Sequence, residues 1–274
     1  VGSGNAIETI ISNIEGSSTG GNVAISNSGG ALSIGGIGAT TGVSTTTSGS
    51  IDISTTGGAL TVSENVTASG SDTVSLTGVG LTNSAAITGP GGVTLNAGTG
   101  TLTTASGTVG STNSAITLIA DTDIITTDGA GVVPVDAGTG TVTLRQSTPS
   151  KTIGLAVASG NIQISENDLD DITADTIAIG NADTGTVTIG GALTNDDSLS
   201  FTSGTGIALN QNVTTSVSSD TITFTGAVTL GANVALGTNN GNISFSSTVD
   251  ADDASSQNRT LTLTAGTGTA TFGS

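Results

Sequence analysis

Apolar and polar residues alternate along this chain in short bursts. Val23-Ala24-Ile25, Ile51-Asp52-Ile53, Val74-Ser75-Leu76, Val93-Thr94-Leu95 and Ile116-Thr117-Leu118 are typical. Val142-Thr143-Leu144, Ile177-Ala178-Ile179, Val187-Thr188-Ile189 and Ile207-Ala208-Leu209 continue the series. A period of two turns one set of side chains inward and the other toward water, which is the pattern of a β-strand. Each run is closed by Gly, Asn or Asp, residues that suit tight turns. No stretch sustains a 3.6-residue stripe; Ala6 to Ile14 comes nearest and is the one helix the pattern suggests. The chain is expected to be all-β.

A longer marker recurs on top of the strands. Gly98-Thr99-Gly100-Thr101-Leu102, Gly138-Thr139-Gly140-Thr141-Val142, Asp183-Thr184-Gly185-Thr186-Val187, Gly204-Thr205-Gly206-Ile207 and Gly266-Thr267-Gly268-Thr269-Ala270 share one design. Their first residues are 40, 45, 21 and 62 positions apart. Taken as two, two, one and three units, these gaps give about 20 to 22 residues per unit, the period of a solenoid. Phe201, Phe224, Phe245 and Phe272 each end an alternating run at intervals of 23, 21 and 27, so they are expected to stack on one another inside the C-terminal half. A sandwich would need longer strands and modules of roughly 90 to 100 residues. The expected fold is therefore a single-stranded, right-handed parallel β-helix, continuous over 1–274 and of about 13 coils, the handedness following from strand crossovers. Pro90, Pro134 and Pro149 should lie in turns or loops, and the uneven stretch from 111 to 158 should leave the solenoid as an irregular excursion.

Composition narrows the chemistry. The 274 residues include 53 Thr, 35 Ser and 43 Gly but no His, Cys, Met, Trp or Tyr. That leaves no imidazole base, thiolate nucleophile or soft-metal ligand. With 21 acidic and 3 basic residues the net charge is −18, which repels nucleic acid and anionic membranes. No apolar run approaches the roughly 20 residues of a membrane span, and no positively charged leader precedes one. The chain reads as a mature product or a segment of a longer one. The absence of Cys suits an exported protein that relies on repetition for stability.

Leu261-Thr262-Leu263-Thr264-Ala265-Gly266-Thr267-Gly268-Thr269-Ala270-Thr271-Phe272 resembles the repeats of very large bacterial exoproteins of the filamentous-haemagglutinin and autotransporter-adhesin type. Asn161-Ile162-Gln163-Ile164, Asn242-Ile243-Ser244-Phe245 and Thr176-Ile177-Ala178-Ile179-Gly180 are similar to their Gly-Asn-Ile-x-Leu and Asp-Thr-Ile-x-Leu strands. The resemblance covers most of the chain, most clearly from Val93 onward, and is one of repeat style. It implies a secreted or cell-surface β-helix that serves in adhesion, biofilm matrix or contact with other cells. The secretion domain and the terminal barrel or toxin domain of such proteins have no counterpart here.

Acidic clusters are the remaining candidates for chemistry: Asp121, Asp123 and Asp128; Asp168, Asp170, Asp171 and Asp175; Asp196 and Asp197; and Asp250, Asp252 and Asp253. Paired carboxylates cleave glycosidic bonds in other proteins, but here they lack stacking or basic partners. No calcium-roll or EF-hand spacing occurs, so weak calcium binding at acidic turns is the most that these residues suggest. No catalytic, cofactor-binding or metal residue is assigned, and no cofactor is expected. Thr101/Thr103, Thr141/Thr143, Thr186/Thr188, Thr221/Thr223, Thr260/Thr262 and Thr269/Thr271 put two hydroxyls on one strand face. A regular array of such pairs would mark the alternative, a carbohydrate- or ice-binding module.

The expected function is a non-enzymatic extracellular structural protein, an adhesin stalk or matrix fibre. A β-helix leaves unpaired backbone at its first and last coil. Val1 to Asn5 and the stretch beyond Phe272 offer little to cap these ends, although Ala6 to Ile14 could cover one. Continuation in a longer rod or end-to-end self-association is therefore expected, the latter favoured by salt or divalent cations that mask the acidic turns.

Overall fold

The computed structural model describes residues 6–38, 40–104, 106–126, 134–253 and 258–273. Short parallel strands wind as a β-solenoid of about 11 turns, with almost no helix. The chain divides into two compact units: Val1–Val142 with Asp171–Ala174, and Thr143–Asp170 with Asp175–Ser274.

In the first unit each turn gives one strand to each of three sheets. Val74–Thr77, Leu81–Asn83 and Ala86–Thr88 make one turn; Val93–Asn96, Leu102–Thr103 and Thr108–Gly110 make the next. Strand lies on strand in register, with Val74 against Val93, Leu76 against Leu95, Leu81 against Leu102 and Ile87 against Val109. The alternation read from the sequence explains which side is inside: Ile51 and Ile53 are fully buried while Asp52 between them is exposed. Each such buried aliphatic side chain contributes about 1.5–3 kcal/mol over an exposed one.

The second unit repeats the plan. Ser198–Ser203, Ile207–Leu209 and Val213–Ser218 make a turn, followed by Ile222–Thr225, Val228–Leu230 and Val234–Asn239. The third face slips register between Thr214 and Ser218, where the strand extends into exposed residues. On the first face the four phenylalanines stack as expected. Phe201 pairs with Phe224, Phe224 with Phe245 and Phe245 with Phe272. Ring centroids are 5.2, 5.0 and 4.9 Å apart, with planes 19°, 8° and 8° from parallel. That spacing matches the strand separation of about 4.8 Å, so the backbone pitch alone sets the stack.

The pairing gives the length of each turn directly. Ile7 lies on Ile25, Val23 on Ile51, Ile51 on Val74, Val74 on Val93 and Val93 on Ile116. In the second unit Thr176 lies on Ser198, Leu199 on Ile222, Ile222 on Ile243 and Ile243 on Ala270. The differences in residue number are uneven, the step from Ile7 to Ile25 being the shortest of these and that from Val23 to Ile51 the longest. The expected period of about 20 to 22 residues per unit thus lies within a wider spread. The expected 13 or so coils become about 11. The surplus leaves at corners. The step from Val23 to Ile51 contains the stretch Gly35-Gly36-Ile37-Gly38 and the long strand Val43–Ser48.

Three of the five markers are one and the same turn. Gly98, Gly138 and Gly266 adopt φ of +54°, +57° and +58°, and the amides of Gly100, Gly140 and Gly268 donate to the carbonyls of Ala97, Ala137 and Ala265. At two of them an Asn one turn earlier closes the corner: Asn113 and Asn240 each accept the middle Thr amide, of Thr139 and Thr267, at 3.0 Å. A Cβ on Gly138 or Gly266 would sit 2.4 Å from that Asn Oδ1, so only glycine fits. The other two differ, since Ser203 Oγ accepts from Thr205 and Gly206, and Asn181 Oδ1 accepts from Asp183.

The helix expected from Ala6 to Ile14 is corrected. Ile7–Thr9 and Asn13–Ile14 are strands that pair with Val23–Asn27 and Leu32–Ile34. Ile7, Ile10, Ile11 and Ile14 do have helical spacing, but pairing along an existing parallel edge satisfies the backbone, and a lone helix this short could not persist in water. A helix appears instead at Glu166–Asp170. Ser165 caps it reciprocally: its Oγ donates to Asp168 Oδ2 at 2.5 Å and accepts from the Asp168 amide at 3.1 Å.

Within 111–158 the strands Ile116–Ile119, Ile124–Ile125 and Val135–Asp136 keep register with the turn before them. Residues 127–133 lie outside the described part. The irregular insertion overlaps only the end of that stretch and runs past it: Ile162–Ile164 pairs in parallel with its close neighbour in sequence, Ile153–Leu155, and the helix follows. Gln146 anchors this stretch from within the second unit. Its Nε2 donates to Asn181 Oδ1 at 2.7 Å and its Oε1 accepts from Thr184 Oγ1 at 2.6 Å, both in buried or part-buried surroundings. Pro90 and Pro149 lie in turns and Pro134 at a bend, as expected.

Candidate functional site

The acidic residues gather at corners, where Gly, Asn and Asp were expected to reverse the chain. The densest group belongs to the second unit. Thr176 pairs with Ser198 and Leu199 with Ile222, so carrying the register back by one and two residues puts Asp175, Asp197 and Asp220 in one column of three successive turns. Adjacent strands are only about 4.8 Å apart, which brings acidic residues of successive turns close together. Asp220 Oδ1 accepts from Ser198 Oγ at 3.4 Å, while its Oδ2 is enclosed without a hydrogen-bond partner. Burial raises the Asp220 carboxyl above the ordinary carboxylate range, the Ser198 bond opposes this, and the charges of Asp175 and Asp196 add to it. Asp196 in turn accepts from Ser216 Oγ.

Glu166 and Asp170 lie on the short helix of the same unit. Glu166 Oε1 accepts the Thr194 amide at 2.6 Å, and its Oε2 is enclosed and unpartnered. Burial raises its carboxyl, the Thr194 bond lowers it, and Asp170 raises it again. Asp170 is raised by burial and then by Asp196. The sequence clusters included Asp170, Asp175, Asp196 and Asp197 but missed Glu166 and Asp220. The signal for Asp220 was the turn length: one turn leads from Asp175 to Asp197, and one more leads on to Asp220.

The remaining acidic groups serve local structure. Asp168 is spent on the helix cap, and Asp121 is buried. Asp252 forms a two-pronged pair with Arg259, Nε to Oδ1 at 2.8 Å and Nη2 to Oδ2 at 2.9 Å, which holds the Asp252 carboxyl below its usual range. Asp250 lies exposed one turn after Thr229. Asp128 lies outside the described residues. Among the described residues no group of three or more carboxylates is placed to hold a metal ion.

The Thr pairs do not form one array. Thr103 sits on the second face of the first unit, above Thr82 and Thr61. Thr188 and Thr262 lie on two further sheets of the second unit. On that unit's first face the outward column reads Ala178, Ser200, Thr223, Ser244 and Thr271. Neighbouring turns thus present different side chains.

A cavity of about 230 Å³ opens at the first turn, lined by Ile7, Ile14, Val23, Ile25 and Val43 with Glu15 at its side. Its walls are mostly apolar, with Ser17, Ser18 and Asn22 among them, and carry no paired acid and base. No helix among the described residues is long and apolar enough to cross a membrane. No protein-family model matches the chain, and neither a curated protein nor a solved structure matches it. What classifies the chain is therefore the fold itself: a β-helical repeat protein.

Proposed function

We propose that this chain is a non-enzymatic structural module of the bacterial cell surface or extracellular matrix, an adhesin stalk or fibre segment of the filamentous-haemagglutinin or autotransporter-adhesin kind. The observation that carries the reading is the plan shared by both units. Three-faced turns bury continuous aliphatic or aromatic columns, and their outward positions carry small hydroxylated residues such as Thr61, Thr82 and Thr103. Such a chain spends its residues on stacking turns, and a scaffold needs nothing else. No cofactor enters the reading. End-to-end association of copies is part of it.

Antibody against the chain, applied to fractionated cells of the source bacterium, tests the placement. The expected signal is on the cell surface and in the medium; a purely cytosolic signal would overturn the reading. Hydrolysis or lyase activity on polysaccharides that disappears on substitution of Asp175, Asp196 or Asp220 would overturn its non-enzymatic part.

A further inference from the structure

We infer that Asn240 is a site of spontaneous modification, its side chain attacked by the Gly241 amide and converted to aspartate and isoaspartate; this is independent of the scaffold reading. Asn240-Gly241 is the only Asn-Gly pair in the chain. Asn240 is exposed, and Gly241 brings a nucleophilic nitrogen with no side chain to shield it. Among the described residues the Gly241 amide donates to no acceptor.

The corner holds the reacting amide ready. The Thr267 amide donates to Asn240 Oδ1 at 3.0 Å, so a fixed donor already faces the oxygen on which negative charge develops during attack. Asn240 Nδ2, the leaving nitrogen, donates to Asn239 Oδ1 at 3.2 Å. Hydroxide takes the Gly241 amide proton, the nitrogen bonds to Asn240 Cγ, the Cγ–Nδ2 bond breaks, and ammonia leaves with a proton from water. Water then opens the cyclic imide at either carbonyl. One opening gives aspartate; the other gives isoaspartate, whose main chain runs through Cγ and is one methylene longer. Ile222 pairs with Ile243, which puts Gly241 level with Asp220, and a Cβ on Gly241 would clash with the Asp220 carbonyl oxygen. A corner packed this closely has no room for the extra methylene, so conversion opens it.

The chain carries its own control. Asn113 closes the equivalent corner of the first unit, with φ of +54° against +66° at Asn240, and accepts the Thr139 amide at 3.0 Å. The next residue is where the two part, since Ser114 has a side chain and Gly241 has none.

The folded chain is incubated in mildly alkaline buffer, digested with trypsin and read by tandem mass spectrometry. Cleavage at Arg145, Lys151 and Arg259 puts Asn113 and Asn240 in separate peptides. The expected result is an amide-to-acid mass gain at Asn240 about tenfold faster than at Asn113, a ratio equivalent to about 1.4 kcal/mol in the barrier. Ser114→Gly, with the wild-type β signal in far-UV circular dichroism, should raise Asn113 to the Asn240 rate. Isoaspartyl methyltransferase should label the aged chain, and amide exchange at Thr267 should quicken as conversion proceeds. A urea-unfolded sample gives the rate of the bare pair. Conversion of Asn240 there but not in the folded chain would overturn the inference, because the corner would then protect the residue. Equal rates at the two asparagines, or a Ser114→Gly chain no faster at Asn113, would overturn it as well. Unchanged exchange at Thr267 in the converted chain would overturn the opening of the corner.

Discussion

The two units fill the same kind of inward column with different chemistry. In the first unit the second inward position of the first face runs Ile25, Ile53, Leu76, Leu95 and Leu118; in the second it runs Ile179, Phe201, Phe224, Phe245 and Phe272. Both columns keep register although some turns are much longer than others. Like stacks on like, and the extra residues leave at corners. The corners differ too. In the first unit Glu64 accepts the amides of Gly36 at 3.2 Å and Gly42 at 2.7 Å, and Asp72 accepts the Gly49 amide at 2.6 Å. Gly49 has φ of +126°, and a Cβ there would lie 2.2 Å from the Gly21 carbonyl oxygen. In the second unit the carboxylate of Asp220 is set instead against the charges of Asp175 and Asp196. One residue type closes loops in the first unit and strains the corner in the second.

The largest effect should come from the columns. Phe224 has rings on both sides, so Phe224→Ala should cost about 3–5 kcal/mol, while Leu76→Ala in the aliphatic column should cost about 2–5 kcal/mol. Phe224→Leu separates the two: it keeps most of the apolar volume but loses two ring contacts worth about 0.5–1.5 kcal/mol each. Urea denaturation followed by far-UV circular dichroism measures all three. A Phe224→Leu chain as stable as wild type would mean that the rings fill space and gain nothing from stacking.

Much of this is readable from the sequence, and the limits have physical causes. Alternation in Val74-Ser75-Leu76 or Ile222-Thr223-Phe224 marks strands and their buried side, because a period of two leaves few alternatives. The Phe spacing exposes a column because only four Phe occur. The corners are opaque for the opposite reason. Thr45 Oγ1 donates to the Gly49 carbonyl, Thr215 Oγ1 to that of Asp220 and Thr238 Oγ1 to that of Gly241, all from enclosed positions. In a chain with 53 Thr, nothing in the sequence separates these three from the outward ones. The Ser165 cap does carry a local signal, an acidic residue three positions on, but among 35 Ser it does not stand out. The carboxylate column is not legible by spacing alone, since it needs the true length of each turn.

A smaller effect should follow at the first unit's loop. Glu64→Ala removes two hydrogen bonds to a charged acceptor from the Gly36 and Gly42 amides. Bonds to charged groups contribute about 1.5–3 kcal/mol, and partial exposure of Glu64 places the loss at the lower end. Amide hydrogen exchange should accelerate at Gly36 and Gly42 in this variant while Leu76 and Leu95 stay protected. Unchanged exchange at both glycines would show that the loop holds its shape without the carboxylate.

The smallest effect, and the one of opposite sign, belongs to Asp220. Its folded carboxyl is raised above the unfolded value by burial and by Asp175 and Asp196. The charged form is therefore penalised in the fold. That penalty is complete above the folded pKa, shrinks as pH falls through it, and is gone below the ordinary value of 3.8. Acidification from neutral pH into the carboxylate range should stabilise this corner. The Asp252–Arg259 pair works the other way: its contribution is present above the unfolded value and is lost as pH falls through the lowered folded one. Asp220→Asn keeps the acceptor for Ser198 Oγ and removes the charge. It should stabilise the chain at pH 7 by about 0.5 kcal/mol, the scale of partly exposed charge interactions, and should flatten the gain on acidification. Denaturation midpoints of wild type and variant, compared at neutral pH and again within the carboxylate range, check both parts. If the variant were no more stable at pH 7 and rose as steeply on acidification, the strain would lie with Glu166 and Asp170 on the helix, and Glu166→Gln would then carry the effect.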